Sequence, residues 1–340
     1  MDSKIKIKLY HYEIPLFFPI TSCNSYVREG LVLILQDKTG LYGIGEVAPL
    51  KNLSKETISD CVKQIKAISE VITEQNLRYI YSKCYPSVRF GLELATLSLE
   101  AQKKGKSLPE LLSQKTLSGK KIRINALLTK QNMYELEKLL ESGYSSFKLK
   151  VDSEEDWKLV KHIRDISGWE TEIRLDANKI FSLYEGIRFG KKVHPLRVAY
   201  VEDPVSEGFE EFFCKTRVAI GIDQGIECKE VRCGSYVKAW VIKPGIVGGI
   251  RESIALMKEA SSLGITPVLS NPFYSGIGTS ALVCISSVLE EDIAMGFDPY
   301  RWIKEDILEA PLKVEKGSFL LDDVLSKMFK IKIKRLDPIF

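Results

Sequence analysis

The chain has 340 residues, 45% hydrophobic and 28% charged, with 49 Lys and Arg against 45 Asp and Glu for a net charge of +4. Such a chain can bury one large core or two smaller ones, and its basic residues are scattered rather than striped, which excludes a nucleic-acid surface. No run of 18 apolar residues occurs and the start lacks the apolar stretch of a secretion signal, so no membrane partner is expected and the expected location is cytoplasmic. Seven cysteines without C-x-x-C spacing read as reduced structural thiols, and His11, His162 and His194 lie outside any H-E-x-x-H pattern.

In chain order, residues 5–10, 31–35 and 41–45 predict strands, followed by helices over 54–73 and 87–104. Residues 1–110 thus form an α+β domain. From about 111 to 310 short apolar runs alternate with amphipathic helical segments: 122–127, 147–151, 172–177, 198–202, 218–222, 239–243, 265–270 and 292–296. Eight strands alternating with helices make an α/β fold, a (β/α)8-type barrel. Asp152 with Glu155, and Ser182 with Glu185, have the spacing of capping boxes that start two of the helices. Residues 311–340 are expected to pack back on the first domain.

The second barrel strand, SSFKLKV, carries Lys148 and Lys150 on the face opposite Phe147, Leu149 and Val151, because side chains alternate along a strand. Chemistry in such barrels sits at the C-terminal ends of the strands. There the third, fourth and fifth strands end in Asp176, Glu202 and Asp223, and the sixth in Lys243. Three carboxylates brought together from adjacent strands without a cation would repel, and hard oxygen ligands suit Mg²⁺, with Mn²⁺ as a substitute. Strands two and six lie across the barrel from each other, so Lys148 and Lys150 face Lys243 over the carboxylates. A lysine at its reference pKa near 10.4 is no base at pH 7; a second ammonium and a cation beside it disfavour its charged form. Arg174 and Asp203 read as structural, Asn178 as either a loop cap or a group within reach of ion or substrate, and Glu227, Cys228 and Cys233 as parts of the helix after strand five.

K-x-K at 148–150, D-A-N at 176–178, E-D-P at 202–204, D-Q at 223–224 and K-P at 243–244, in this order, resemble the muconate-lactonising subgroup of the enolase superfamily. The N-terminal domain adds G-I-G-E-V-A-P at 43–49 and R-F-G-L-E at 89–93, similar to that family's capping domain. The resemblance implies abstraction of a proton α to a carboxylate, with Mg²⁺ stabilising the resulting enediolate; this use of a Lys base with Mg²⁺ is a worked case of general acid–base theory. It makes Lys150 the base, Lys148 its tuner and a contact of the substrate carboxylate, and Lys243 the ammonium on the opposite face.

Several reactions share that constellation. The E-V-A-P-L stretch at 46–50 and G-F-D at 296–298 resemble the o-succinylbenzoate synthases of the subgroup, which dehydrate a cyclohexadiene carboxylate in menaquinone synthesis. Dipeptide epimerases carry D-x-D at the latter place, and here the first position is Gly296. An N-acylamino acid racemase or dipeptide epimerase is the alternative; a noncatalytic barrel would have lost a lysine or a carboxylate, and none is missing. Ser270 and Asn271, after strand seven, are candidate substrate contacts, although Tyr274 stands where relatives have an acidic residue. The 18–24 loop is expected to close over the site.

Overall fold

The computed structural model of the protein describes residues 5–20, 22–226 and 233–340. The N-terminal part is an antiparallel sheet of β1 (Lys6–Ile20), β2 (Ser25–Gln36) and β3 (Tyr42–Val47), covered by helices α1 (Ile58–Val71), α2 (Leu77–Tyr81) and α3 (Pro86–Lys103). β1 runs ten residues beyond its predicted end. Tyr12, Ile14 and Leu16 stay buried and Glu13, Pro15 and Phe17 stay exposed, so the strand alternation continues through a stretch whose prolines read as breakers. The glycines of G-I-G-E let β3 touch α3 backbone to backbone: a methyl on Gly43 would fall 1.8 Å from the Ala95 carbonyl oxygen, and one on Gly45 1.9 Å from that of Gly91.

The barrel has seven parallel strands in chain order around the ring. They are β5 (Ala126–Leu128), β6 (Ser146–Lys150), β7 (Glu172–Asp176), β8 (Tyr200–Glu202), β9 (Ile220–Ile222), β10 (Val237–Ile242) and β11 (Thr266–Leu269). The predicted eighth strand at 292–296 is reduced to single bridges: Met295 pairs with Ile124 and Gly296 with Ser270, and these close the ring between β11 and β5. The predicted first strand at 122–127 also divides. Its first half, β4 (Lys121–Arg123), leaves the barrel and pairs antiparallel with β13 (Ser318–Leu320), itself the hairpin partner of β12 (Val314–Glu315). Only its second half joins the ring. The C-terminal segment therefore shares itself between two places, since β14 (Asp337–Pro338) pairs with Tyr10 and His11 of β1 while β12 and β13 seal the far end of the barrel.

Ser182 and Glu185 form the expected capping box. The other box sits one residue later than the spacing suggested, at Ser153 and Asp156, because a 3-10 turn over Glu154–Asp156 precedes the helix.

Two buried glutamates fasten the capping domain to the barrel. Glu46, on β3, accepts hydrogen bonds from Ser275 N–H at 2.9 Å, Ser275 Oγ at 2.6 Å, Gly278 N–H at 2.7 Å and the Tyr12 hydroxyl, capping the helix Gly276–Ser286. Glu93, on α3, accepts from Arg251 N–H at 3.0 Å at the start of the helix Ile250–Ser262. Helix N-termini present unpaired N–H groups and a positive dipole end, so a carboxylate is the fitting partner. Burial raises the pKa of Glu46, opposed by the hydrogen bonds from Ser275 and Tyr12. Arg28 adds a fully enclosed guanidinium that donates to the carbonyls of Ala48, Pro49 and Phe273, again across the junction. Glu46→Ala strands several buried donors at once and is expected to cost about 3 kcal/mol of stability or more in urea unfolding. A loss under about 1 kcal/mol would show that these donors find other partners.

Candidate active site

The C-terminal strand ends meet in register. Lys150 pairs with Asp176 across β6 and β7, and Asp176 with Glu202 across β7 and β8. Asp223 and Lys243 each lie one residue past β9 and β10. Phe147 and Leu149 are buried toward the helices, while Lys148, Lys150 and Lys243 reach the barrel mouth.

The ammonium groups are interleaved with the carboxylates. Lys148 Nζ lies 2.8 and 2.7 Å from the two carboxylate oxygens of Glu202 and 2.8 Å from Asp176 Oδ2. Lys243 is paired with Asp223. Burial works against the charge on Lys148, but Asp176 and Glu202 outweigh it and hold its pKa above the ordinary lysine value; Lys243 is held up in the same way, chiefly by Asp223. Asp176, though buried, is pulled down to about 2 by Lys148, Lys150 and Lys243. Glu202 is pushed up, first by burial and then by Asp176. With Asp176 and Glu202 drawn to Lys148 and Asp223 to Lys243, the three carboxylates stand wider than a single tight cluster. Among the described residues the one trio of potential ligands within 4.8 Å of one another is His11, Glu13 and Glu29, on the capping sheet.

Asp176 Oδ1 is buried with no hydrogen-bond partner. An unpartnered carboxylate oxygen beside two further carboxylates is a donor set that fits a hard divalent cation.

Above the lysines is a cavity of about 110 Å³ with an apolar wall of Leu50, Leu53, Phe273 and Trp302. Phe273 and Phe18 both pack on Trp302, at 5.7 and 5.1 Å between ring centres. Of the expected 18–24 loop, Phe18–Ile20 are the end of β1; Ile20 and Ser22 reach the cavity, and Asn52 Nδ2 donates to the Ser22 carbonyl at 2.7 Å, while Thr21 lies outside the described residues. Leu50, Leu53 and Trp302 escaped the sequence reading because isolated apolar residues look like core. A larger cleft of about 890 Å³, between Phe17 and Arg301, holds none of the strand-end carboxylates or lysines.

The candidate substrate contacts differ from one another. Ser270 and Asn178 line the cavity, Asn178 exposed and with positive φ at +47°. Asn271 also borders it, but its amide faces inward. Its Oδ1 accepts from Tyr274 N–H at 2.7 Å and its Nδ2 donates to Thr279 Oγ1 at 2.9 Å. Tyr274 does not reach the cavity at all, and Phe273 takes that place.

Arg174 donates to the Ala294 carbonyl at 2.7 Å and pairs with Glu172, below the site. Asp203 has more to do than the sequence suggested. Its carboxylate is buried, accepts from Gln224 N–H at 2.8 Å and Asp223 N–H at 3.3 Å, and so holds the turn that presents Asp223. Its place in E-D-P, beside Glu202, was the available signal. Asp298, the acidic residue of G-F-D, is buried and accepts from Leu127 N–H at 2.8 Å, the Tyr144 hydroxyl at 3.0 Å and Arg301. Cys233 lies in a turn, and Glu227 and Cys228 are outside the described residues.

A parallel barrel with a lysine- and carboxylate-lined mouth under an α+β cap defines a class of proteins, and the comparisons agree. The chain belongs to the enolase superfamily: residues 133–324 match the enolase C-terminal domain-like family. Within it the resemblance is to the o-succinylbenzoate synthases. Residues 4–99 match the MenC N-terminal domain, and the chain is 27% identical over 320 residues to o-succinylbenzoate synthase of Haemophilus influenzae, covering 89% of this chain and 92% of that one. It is 28% identical over 375 residues to protein PHYLLO of Arabidopsis thaliana, of whose length it spans 22%. Two solved structures share the fold. Muconate lactonizing enzyme from Pseudomonas fluorescens has a TM-score of 0.87 at 18% identity, covering 98% of each chain. Dipeptide epimerase from Enterococcus faecalis, complexed with Mg and L-Leu-L-Tyr, has 0.83 at 19%, covering 94% of this chain and 97% of that one. Among the described residues no helix is long and apolar enough to cross a membrane.

Proposed function

We propose that the chain catalyses the o-succinylbenzoate synthase reaction, dehydrating 2-succinyl-6-hydroxy-2,4-cyclohexadiene-1-carboxylate to 2-succinylbenzoate in menaquinone synthesis. Asp176, Glu202 and Asp223 hold Mg²⁺, for which Mn²⁺ can substitute. When bound, the ion supplies positive charge to the substrate carboxylate. Lys148, engaged by Asp176 and Glu202, acts as a fixed ammonium, and the resemblance makes Lys150 the base. Lys150 takes the α-proton and returns it to the departing hydroxyl on the same side. Lys243, across the barrel, stays charged and faces the negative charge that develops on the carboxylate. The apolar wall of Leu50, Leu53, Phe273 and Trp302 suits a carbocycle, with Ser270 and Asn178 at the polar edge.

The observation that carries the choice within the family is Asp298. Both of its oxygens are taken by Leu127, Tyr144 and Arg301, and Gly296 offers no carboxylate, so among the described residues that edge of the cavity holds no free carboxylate for a dipeptide's ammonium group. A second reading, racemisation of N-acylamino acids, is favoured by the lysines standing on two faces of the cavity, since a racemase must return its proton to the opposite side. Comparing kcat/KM for the cyclohexadiene substrate, N-succinylamino acids and dipeptides, with α-proton exchange in D₂O, separates them. Dehydration is expected to be fastest and to stop in EDTA. Racemisation exceeding dehydration in efficiency would reverse the order of the two readings.

A further inference from the structure

Tyr274 is 1% exposed, and its ring stacks on Phe90 of α3 with centres 5.0 Å apart and planes within 8°. Its hydroxyl accepts a hydrogen bond from Gly245 N–H at 3.1 Å. Gly245 stands two residues after Lys243, and the intervening Pro244 has no N–H to give. It is thus the first backbone donor after the lysine, in the opening turn of the short helix Pro244–Val247, where an N–H has no partner within the helix. The approach is close: a methyl on Gly245 would fall 2.1 Å from the Tyr274 oxygen. The other end of this turn is fastened by Lys243 itself, whose carbonyl accepts from Ile246 at 2.8 Å and Val247 at 3.0 Å.

Tyr274 is itself held from both domains. Asn271 Oδ1 receives its N–H, Glu46 binds the adjacent Ser275, and Phe90 supports its ring. A continuous set of contacts therefore runs from the capping domain through a phenol to the turn that sets the direction of Lys243.

We propose that Tyr274 is a positioning residue for Lys243, fixing the turn 244–247 and carrying the seating of the capping domain into the placement of that ammonium group. The proposal rests on Lys243 facing the reacting carboxylate. A displaced ammonium weakens stabilisation of charge that appears only in the transition state, so the loss falls on kcat and leaves substrate binding alone.

The test is a double-mutant cycle in the full-length enzyme with Mg²⁺ and the cyclohexadiene substrate. Tyr274→Phe keeps the ring on Phe90 and removes only the hydroxyl that accepts from Gly245. It is expected to lower kcat about tenfold, the scale of one hydrogen bond, with KM changed less than about twofold. In a Lys243→Ala background, assayed at high enzyme concentration, Tyr274→Phe is expected to cost nothing further. Phe90→Leu, which keeps the site apolar but removes the stack, is expected to show the same pattern more weakly. An equal loss in both backgrounds, an unchanged kcat in Tyr274→Phe, or a lowered melting temperature as its only effect would each overturn the proposal and leave the proposed reaction standing. Full turnover in Lys243→Ala would instead overturn the assigned role of Lys243, and this inference with it.

Discussion

Turnover is expected to fall below detection in Asp176→Asn, Glu202→Gln and Asp223→Asn, and a rise in melting temperature with Mg²⁺, expected of the parent protein, is expected to disappear with it. Each change removes one anionic oxygen, and a neutral amide is a poor partner for a hard divalent ion. The structure adds an order among the three. Asp176 and Glu202 share the Lys148 ammonium, so losing one leaves that ammonium the other, whereas Asp223 is the one ion-pair partner of the buried Lys243 ammonium among the described residues. Buried pairs broken on one side are strongly destabilising. The melting temperature without added metal should therefore fall more for Asp223→Asn than for Asp176→Asn or Glu202→Gln. Near-normal turnover in any of the three would remove that residue from the ion's ligands.

The second large effect belongs to the lysines. Lys150→Ala and Lys243→Ala are each expected to lose at least ~10³-fold in kcat, on the scale of general-base and electrostatic terms. Lys148→Ala should differ in kind. Its ammonium lies against Asp176 and Glu202, and its removal leaves two buried carboxylates facing each other, so stability and activity fall together. Steady-state kinetics with thermal melts on the three variants make the comparison. If Lys150→Ala kept near-normal turnover while Lys148→Ala did not, the roles of base and tuner would exchange.

The strand ends were legible because they obey local rules. Alternation alone put Lys148 and Lys150 on one face and Phe147 and Leu149 on the other, and strand spacing put Asp176 beside Glu202. Closure of the ring was harder to read. Met295 and Gly296 complete it through single bridges, too few to leave a strand pattern, and the apolar run at 122–127 serves two sheets at once, a division made by β13 nearly 200 residues away. The ion pairs were invisible for a similar reason: that Lys148 binds Asp176 and Glu202 follows from the depth of the barrel mouth, which no spacing encodes. Tyr274 was misplaced because its neighbour Phe273 has φ at +61°, a turn of the chain that sends one ring to the cavity and the next to Phe90.

The pairing of β14 with β1 bears on the order in which the protein can be made. β1–β3 are translated before the barrel, yet the edge of β1 at Tyr10 and His11 is covered by Asp337 and Pro338, and Glu46 meets its barrel partners only when Ser275 and Gly278 have been synthesised. A nascent cap emerging from the ribosome therefore carries an open strand edge and a carboxylate without its barrel helix, the kind of surface that invites pairing with a neighbouring chain. The lysines and carboxylates of the barrel are translated after β1–β3 and before β14, so the sheet that roofs them is completed only once they have been made.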